Sequence, residues 1–203
     1  MVQPGAATEP TTVTDARPLR ADAARNREKV LEAAGELFGD EGTDASLEEI
    51  ARRAGVGVGT LYRHFPNRTV LIEQVYRHSV DELCAEAPHL AATLPPGEAL
   101  EAWIMGFVTY VGRKKGLASA LRGALGDDAS VVFADVHQRL QSTGDALLFA
   151  AQDAGVVRTD VETMDILRAV SGVCTATADA RDPEKTRRVL RLLLDGLRYG
   201  TSG

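Results

Sequence analysis

Apolar residues recur along the chain at three- and four-residue intervals, and no run alternates cleanly enough to demand a strand. The pattern predicts an all-α protein with about nine helices. Val30, Leu31, Ala34, Leu37 and Phe38 share one face of a helix over Ala23–Gly39, with Asp22 as its N-cap and Gly42 as the turn beyond it. Ser46 and Glu49 have the spacing of a capping box ahead of a helix that carries Leu47 and Ile50 to about Ala54. Gly55 suits the left-handed conformation that closes a helix, and Val56 plugs the corner. A second short helix runs from Gly57 or Val58 to Arg63. Pro66 stops it, and Asn67 caps a longer helix from Arg68 to about Glu86. Leu71, Ile72, Val75, Tyr76, Val80 and Leu83 form the apolar face of that longer helix, which belongs to both halves of the chain.

After the break at "LPPGEAL", where Pro96 stands near a helix start, come five further patterns. One carries Leu100, Trp103, Ile104, Phe107, Val108 and Val111; a short one spans Leu117–Leu125. Val131–Ala151 is long and ends before Gly155, and Glu162–Thr177 precedes the last helix, Pro183–Tyr199. In that last helix Val189, Leu190, Leu192, Leu193, Leu194 and Leu197 cover more than one face, so it needs a partner on each side. The chain's own core supplies one, and a second copy of the chain is the expected other. The chain is thus expected to form a homodimer through its last two helices.

Composition adds bounds to this picture. The 203 residues are 44% hydrophobic, 26% charged and only 5% aromatic, so the core leans on Leu, Val and Ala. The length suits a tail over residues 1–20, a small domain over 21–67 and a larger helical domain over 68–203. Net charge is -6, and neither half has an excess of basic residues. Any nucleic-acid surface is therefore local. Arg17, Arg20, Arg25, Arg27 and Lys29 cluster early, and Arg52, Arg53, Arg63, His64 and Arg68 flank the glycine corner. Cys84 and Cys174 make no disulfide framework and read as small buried hydrophobes. His64, His78, His89 and His137 are scattered, so no metal constellation is visible, and Asp127 and Asp128 read as helix-starting acids. There is no phosphate loop, nucleophile elbow or paired-acid signature, and "GVGVG" lacks a preceding strand. No enzyme and no cofactor are expected. No apolar run spans a bilayer, and the Thr-, Pro- and Ala-rich start lacks a signal core, so a cytoplasmic protein with no membrane partner is expected.

Helix, glycine corner, helix is the outline of a helix-turn-helix. Leu47, Ile50, Ala51, Ala54, Leu61 and Phe65 turn inward, which leaves Val58, Gly59, Thr60, Tyr62 and Arg63 at least partly exposed. Small residues at the start of the second helix permit close approach to a major groove about 12 Å wide. Thr60 offers a hydroxyl and a methyl to base edges, and Val58 a methyl to thymine. Tyr62, His64 and Arg68 suit phosphate oxygens, as does Ser46 at a helix N-terminus. Arg25 and Arg27 reach toward the backbone or minor groove from the first helix.

The stretch "SLEEIARRAGVGVGTLYRHFPNRTVLIEQV" resembles the DNA-binding domain of the TetR family of bacterial transcriptional regulators, over roughly Arg25 to Tyr76. The likeness lies in Phe38 and Gly42, Ile50-Ala51, Ala54-Gly55-Val56, Gly59-Thr60-Leu61-Tyr62, His64-Phe65 and Leu71. It implies a homodimer on a palindromic operator of double-stranded DNA, usually repressing transcription, with release by an unknown small-molecule effector. The family's contacts map onto Ser46, Gly57, Val58, Thr60, Tyr62, His64 and Arg68. Gly57 departs from the family's common Ser, which removes a capping hydroxyl but keeps a backbone N–H. Arg68 stands where Lys is frequent.

For the effector, Trp103, Phe107 and Tyr110 form a helical stripe, joined by Phe133, His137 and Cys174 as pocket candidates, with Met105 and Met164 as further ones. Plain core packing is the competing reading of this stripe. Lys114 and Lys115 are expected to face solvent. A helical sensor or protein-interaction module without operator binding is the alternative to a regulator.

Overall fold

The computed structural model describes residues 16–114, 116–177 and 183–198, with side-chain surroundings from residue 21 onward. The expected tail as far as residue 15, Lys115 and Tyr199 lie outside these residues, as do the side chains of Arg17 and Arg20. The described residues form nine α-helices: α1 (Ala16–Glu41), α2 (Leu47–Ala54), α3 (Val58–His64), α4 (Arg68–Thr93), α5 (Pro96–Arg113), α6 (Leu117–Leu125), α7 (Ala129–Asp153), α8 (Thr163–Ala176) and α9 (Pro183–Arg198). A short 3-10 turn, Gly126–Asp128, leads into α7.

Two helices are longer than expected. α1 begins at Ala16, so residues 16–20 are helix rather than tail, and Asp22 lies inside the helix paired with Arg25 instead of capping it. Pro18 falls in the first turn of α1, where a missing N–H costs no ladder hydrogen bond, so it does not stop propagation once the Val30–Phe38 face is packed. α4 continues through Pro88 to Thr93, past the expected end near Glu86. Proline removes one ladder hydrogen bond. Ala87 is buried and Leu90 packs on the same core, so tertiary contacts carry the helix across the gap.

One apolar cluster runs from Val30 in α1 to Leu197 in α9. α1 packs on α2, α3 and α4, while α4 also meets α5, α6 and α7. α4 is thus shared between the N-terminal trio and the larger helical body. α8 packs on α5, α7 and α9. In α9, Leu190 and Leu197 are buried, Val189, Leu193 and Leu194 are half-buried, and Leu192 is 72% exposed. Burial of Leu190 and Leu197 accounts for one face; Leu192 lies on the face that the chain leaves bare.

α5, α7 and α8 meet where Trp103 crosses Gly144. The Trp103 indole N–H donates to the Leu83 carbonyl at 3.1 Å, which satisfies its polar edge inside the core. A Cβ on Gly144 would stand 2.4 Å from Thr163 Cγ2 and 2.9 Å from the Trp103 ring. Only a residue without a side chain allows these helices so close. Gly144→Ala is expected to destabilise the protein by about 1–3 kcal/mol through overpacking, read as a lower midpoint in urea unfolding with unchanged slope.

Candidate DNA interface and effector cavity

The α2–α3 corner is built as its residues dictate. The Ser46 hydroxyl accepts from the Glu49 N–H at 3.3 Å and starts α2. The second half of the expected capping box is absent, because the Glu49 carboxylate turns to Arg52 at 2.7 Å instead. Gly55 closes α2 in the left-handed conformation at φ 67°, and the Val56 N–H returns to the Ala51 carbonyl at 3.0 Å. Gly57 starts α3 without a side-chain cap, its carbonyl accepting from the Thr60 and Leu61 N–H groups at 2.8 and 3.1 Å.

Leu61 and Phe65 are fully buried and fix the inner side of α3. On its outer side Val58 is 36% and Tyr62 44% exposed, with Gly57, Gly59 and Arg63 also exposed and Thr60 and His64 half-buried. Arg63 bonds the Thr60 hydroxyl at 3.0 Å and has no carboxylate partner among the described residues. It is a basic group on this face that the residue types alone marked as exposed but did not assign a contact. Its one-turn spacing from Thr60 was the available signal.

Other predicted contacts are occupied within the protein. The Ser46 hydroxyl donates to Glu48 at 2.7 Å, which holds the Glu48 carboxyl below its usual range. Arg68 donates through Nη1 to the Thr43 and Ala45 carbonyls at 2.8 and 2.6 Å, pinning the α1–α2 turn. Arg27 is half-buried; it bonds Gln74 of α4, and its guanidinium lies 5.8 Å from the centre of the Phe65 ring. Arg25 stays exposed and pairs with Asp22.

In the larger helical body a cavity of about 270 Å³ opens between α4, α5, α7 and α8. Of the predicted pocket residues, Phe107, Tyr110 and His137 line it, as does Met164. Trp103 does not. It is core, held by the Leu83 carbonyl and packed on Gly144. Phe133 stands behind the wall, edge-on to Tyr76 at 5.6 Å. Cys174 is half-buried on α8 away from the lining, its thiol pushed up by burial; Met105 is exposed outside. Both cysteines are free.

Tyr76, Lys114 and Arg168 also line the cavity. Lys114 corrects the expectation of a solvated lysine. It caps the C-terminal end of α5 and folds back, placing its ammonium 4.7 Å from the Tyr110 ring centre and 6.0 Å from that of Phe107. Burial pulls its pKa down, and nearby Arg122 adds to the effect. The Tyr110 hydroxyl is buried without a hydrogen bond of acceptable geometry, and burial together with the adjacent Tyr76 phenol pushes it far up. The four-residue step from Tyr110 to Lys114 was legible, but not the folding of the lysine side chain back over the two rings. Among the described residues no group of three His, Cys, Asp or Glu side chains is placed to hold a metal ion. Within the same residues, no helix is long and apolar enough to cross a membrane.

A short exposed helix locked behind a glycine corner, on a larger helical body with its own cavity, defines a helix-turn-helix regulator architecture. Residues 30–75 match the family described as bacterial regulatory proteins, tetR family, and residues 95–199 match the SbtR-like transcriptional regulator C-terminal domain. Among solved structures, a TetR transcriptional regulator from Streptomyces coelicolor is 46% identical with a TM-score of 0.77, covering 85% of this chain and 98% of that one. A TetR regulatory protein from Mycobacterium vanbaalenii is 39% identical with a TM-score of 0.73, covering 89% and 99%. An HTH-type transcriptional regulator of Staphylococcus aureus is 41% identical over 64 residues, 31% of this chain and only 35% of that protein's length. The chain belongs to the TetR family of bacterial transcriptional regulators and is not an enzyme.

Arg68 therefore has a testable structural duty whatever it does on DNA. Arg68→Ala is expected to cost about 1–3 kcal/mol by releasing two carbonyls, with amide exchange rising in the Gly42–Ser46 turn.

Proposed function

We propose that this chain is a ligand-responsive regulator, acting as a repressor, that binds a palindromic operator as a homodimer. The observation that carries the reading is the paired condition of α3: Leu61 and Phe65 buried behind it, Val58 and Tyr62 bare in front. Val58 and Thr60 then face base edges, while Tyr62, His64 and the Gly57 N–H face phosphates. Ser46 and Arg68 join the phosphate set by exchanging Glu48 or a turn carbonyl for DNA. Arg25 reaches the backbone; Arg27 acts at one remove, by holding the end of α3 against α4. Residues 21–67 form the DNA-binding unit and 68–203 the effector and dimerisation unit, with α4 common to both.

One recognition helix reads few base pairs. Two, related by a two-fold axis and about 34–36 Å apart, read a palindrome. The bare Leu192 face of α9, beside α8, is the surface that a second copy covers. Effector control follows from α4. Tyr76 borders the cavity, and Gln74 on the same helix holds Arg27 over Phe65. A ligand that prefers a shifted α4 then lowers operator affinity by linkage.

Selection of bound fragments from the source genome, using purified protein, is expected to return a palindrome whose retention falls steeply with salt. Tyr62→Ala is expected to weaken all retained sites alike, and Thr60→Ala to change base preference with a penalty of about 1–3 kcal/mol at one position. Recovery without sequence enrichment, or variants that behave as the parent, would contradict the assignment.

A further inference from the structure

The cavity holds two polar groups that the fold leaves uncompensated. The first is the Lys114 ammonium, half-buried over the Tyr110 ring with an aromatic face where a carboxylate would ordinarily stand. The second is the Tyr110 hydroxyl, on a residue only 4% exposed, which meets only the neighbouring Tyr76 phenol and makes no well-formed hydrogen bond. Lys114 and Tyr110 both line the same space. No Asp or Glu is among the lining residues, and the other cation there is Arg168. Arg122, across from Lys114, is engaged with the face of Phe133 at 4.8 Å. The remaining walls are largely apolar, including Phe107, Leu140, Met164 and Leu167, with Tyr76, His137 and Ser171 as the further polar side chains.

An unpaired cation in a half-buried site is under-compensated, and cation–π contact returns only part of the lost hydration. The depressed pKa of Lys114 reports the same deficit. A group with two acceptor oxygens and one negative charge satisfies both orphans at once, one oxygen on the ammonium and one on the phenol. Its apolar body is then left against the aromatic and aliphatic walls. We infer that the effector is a monocarboxylate with an apolar body, its carboxylate held by Lys114 and Tyr110. The inference rests on the reading of this cavity as the effector site and adds its chemical class.

The test is calorimetric binding to the full-length protein of four matched probes: octanoate, octanol, octylamine and octyl phosphate. Octanoate is expected to bind about tenfold or more tighter than octanol, with octylamine weakest. Lys114→Met should erase the preference for octanoate over octanol. Tyr110→Phe should weaken octanoate several-fold while leaving the unfolding midpoint of the free protein unchanged or higher, because the removed hydroxyl gives up only a poorly formed contact with the Tyr76 phenol. That second variant decides the matter if Lys114→Met does not fold. Equal binding of octanoate and octanol, tighter binding of octyl phosphate, no octanoate binding, or undiminished octanoate binding by Tyr110→Phe would each overturn the inference. Operator retention measured on the same preparation without probe separates the two levels. Intact retention with no carboxylate preference removes the effector class alone, whereas lost retention removes the regulator reading.

Discussion

Everything the protein presents to DNA depends on the burial of Leu61 and Phe65. α3 has seven residues, far fewer than a helix needs to persist alone in water. Its first turn lacks a side-chain cap, since Gly57 has nothing to give. Burying Leu61 and Phe65, at about 1.5–3 kcal/mol each, ties the helix to the core. The exposed side can then be chosen for contact rather than for stability. Small residues stand at its start, an aromatic hydroxyl in the middle and Arg63 near its end. Gly55 and Val56 set the angle at which that face is offered.

α4 extends the constraint through the molecule. Its 26 residues span about 39 Å at the helical rise. Arg68 at its start holds the α1–α2 turn, and Gln74 holds Arg27, which lies over Phe65. Tyr76 touches the cavity, and the Leu83 carbonyl receives the Trp103 indole deep in the helical body. This one helix therefore links the cavity wall to the end of α3 by direct contacts. The same packing is why Gly144 is needed, since α5 and α7 close on each other around Trp103.

Local rules made the DNA-facing half legible. Ser46, Gly55, Pro66 and Asn67 each act on neighbours a few residues away, so their spacing fixed α2, α3 and the start of α4. What escaped was whatever depends on distant partners. Arg27 and Arg68 read as reaching cations, yet Gln74 and the Thr43 and Ala45 carbonyls claim them. α4 runs past its expected end near Glu86 because the packing of Ala87 and Leu90 outranks the local effect of Pro88. In the cavity, the stripe of Trp103, Phe107 and Tyr110 was visible, but its division into core and lining was not. Spacing places residues on a face and does not say what faces them. Lys114 shows the limit most clearly, since a lysine after an amphipathic helix ordinarily points to water.

The central claim is that the bare side of α3 is the surface that meets duplex DNA. Side-chain oxidative footprinting with and without operator duplex, read residue by residue by mass spectrometry, tests it directly. Tyr62 and Val58 are expected to lose reactivity when DNA is added, while exposed Met105 at the far helical body keeps its own. Undiminished oxidation of Tyr62 and Val58 under saturating duplex, with protection appearing elsewhere, would contradict the account.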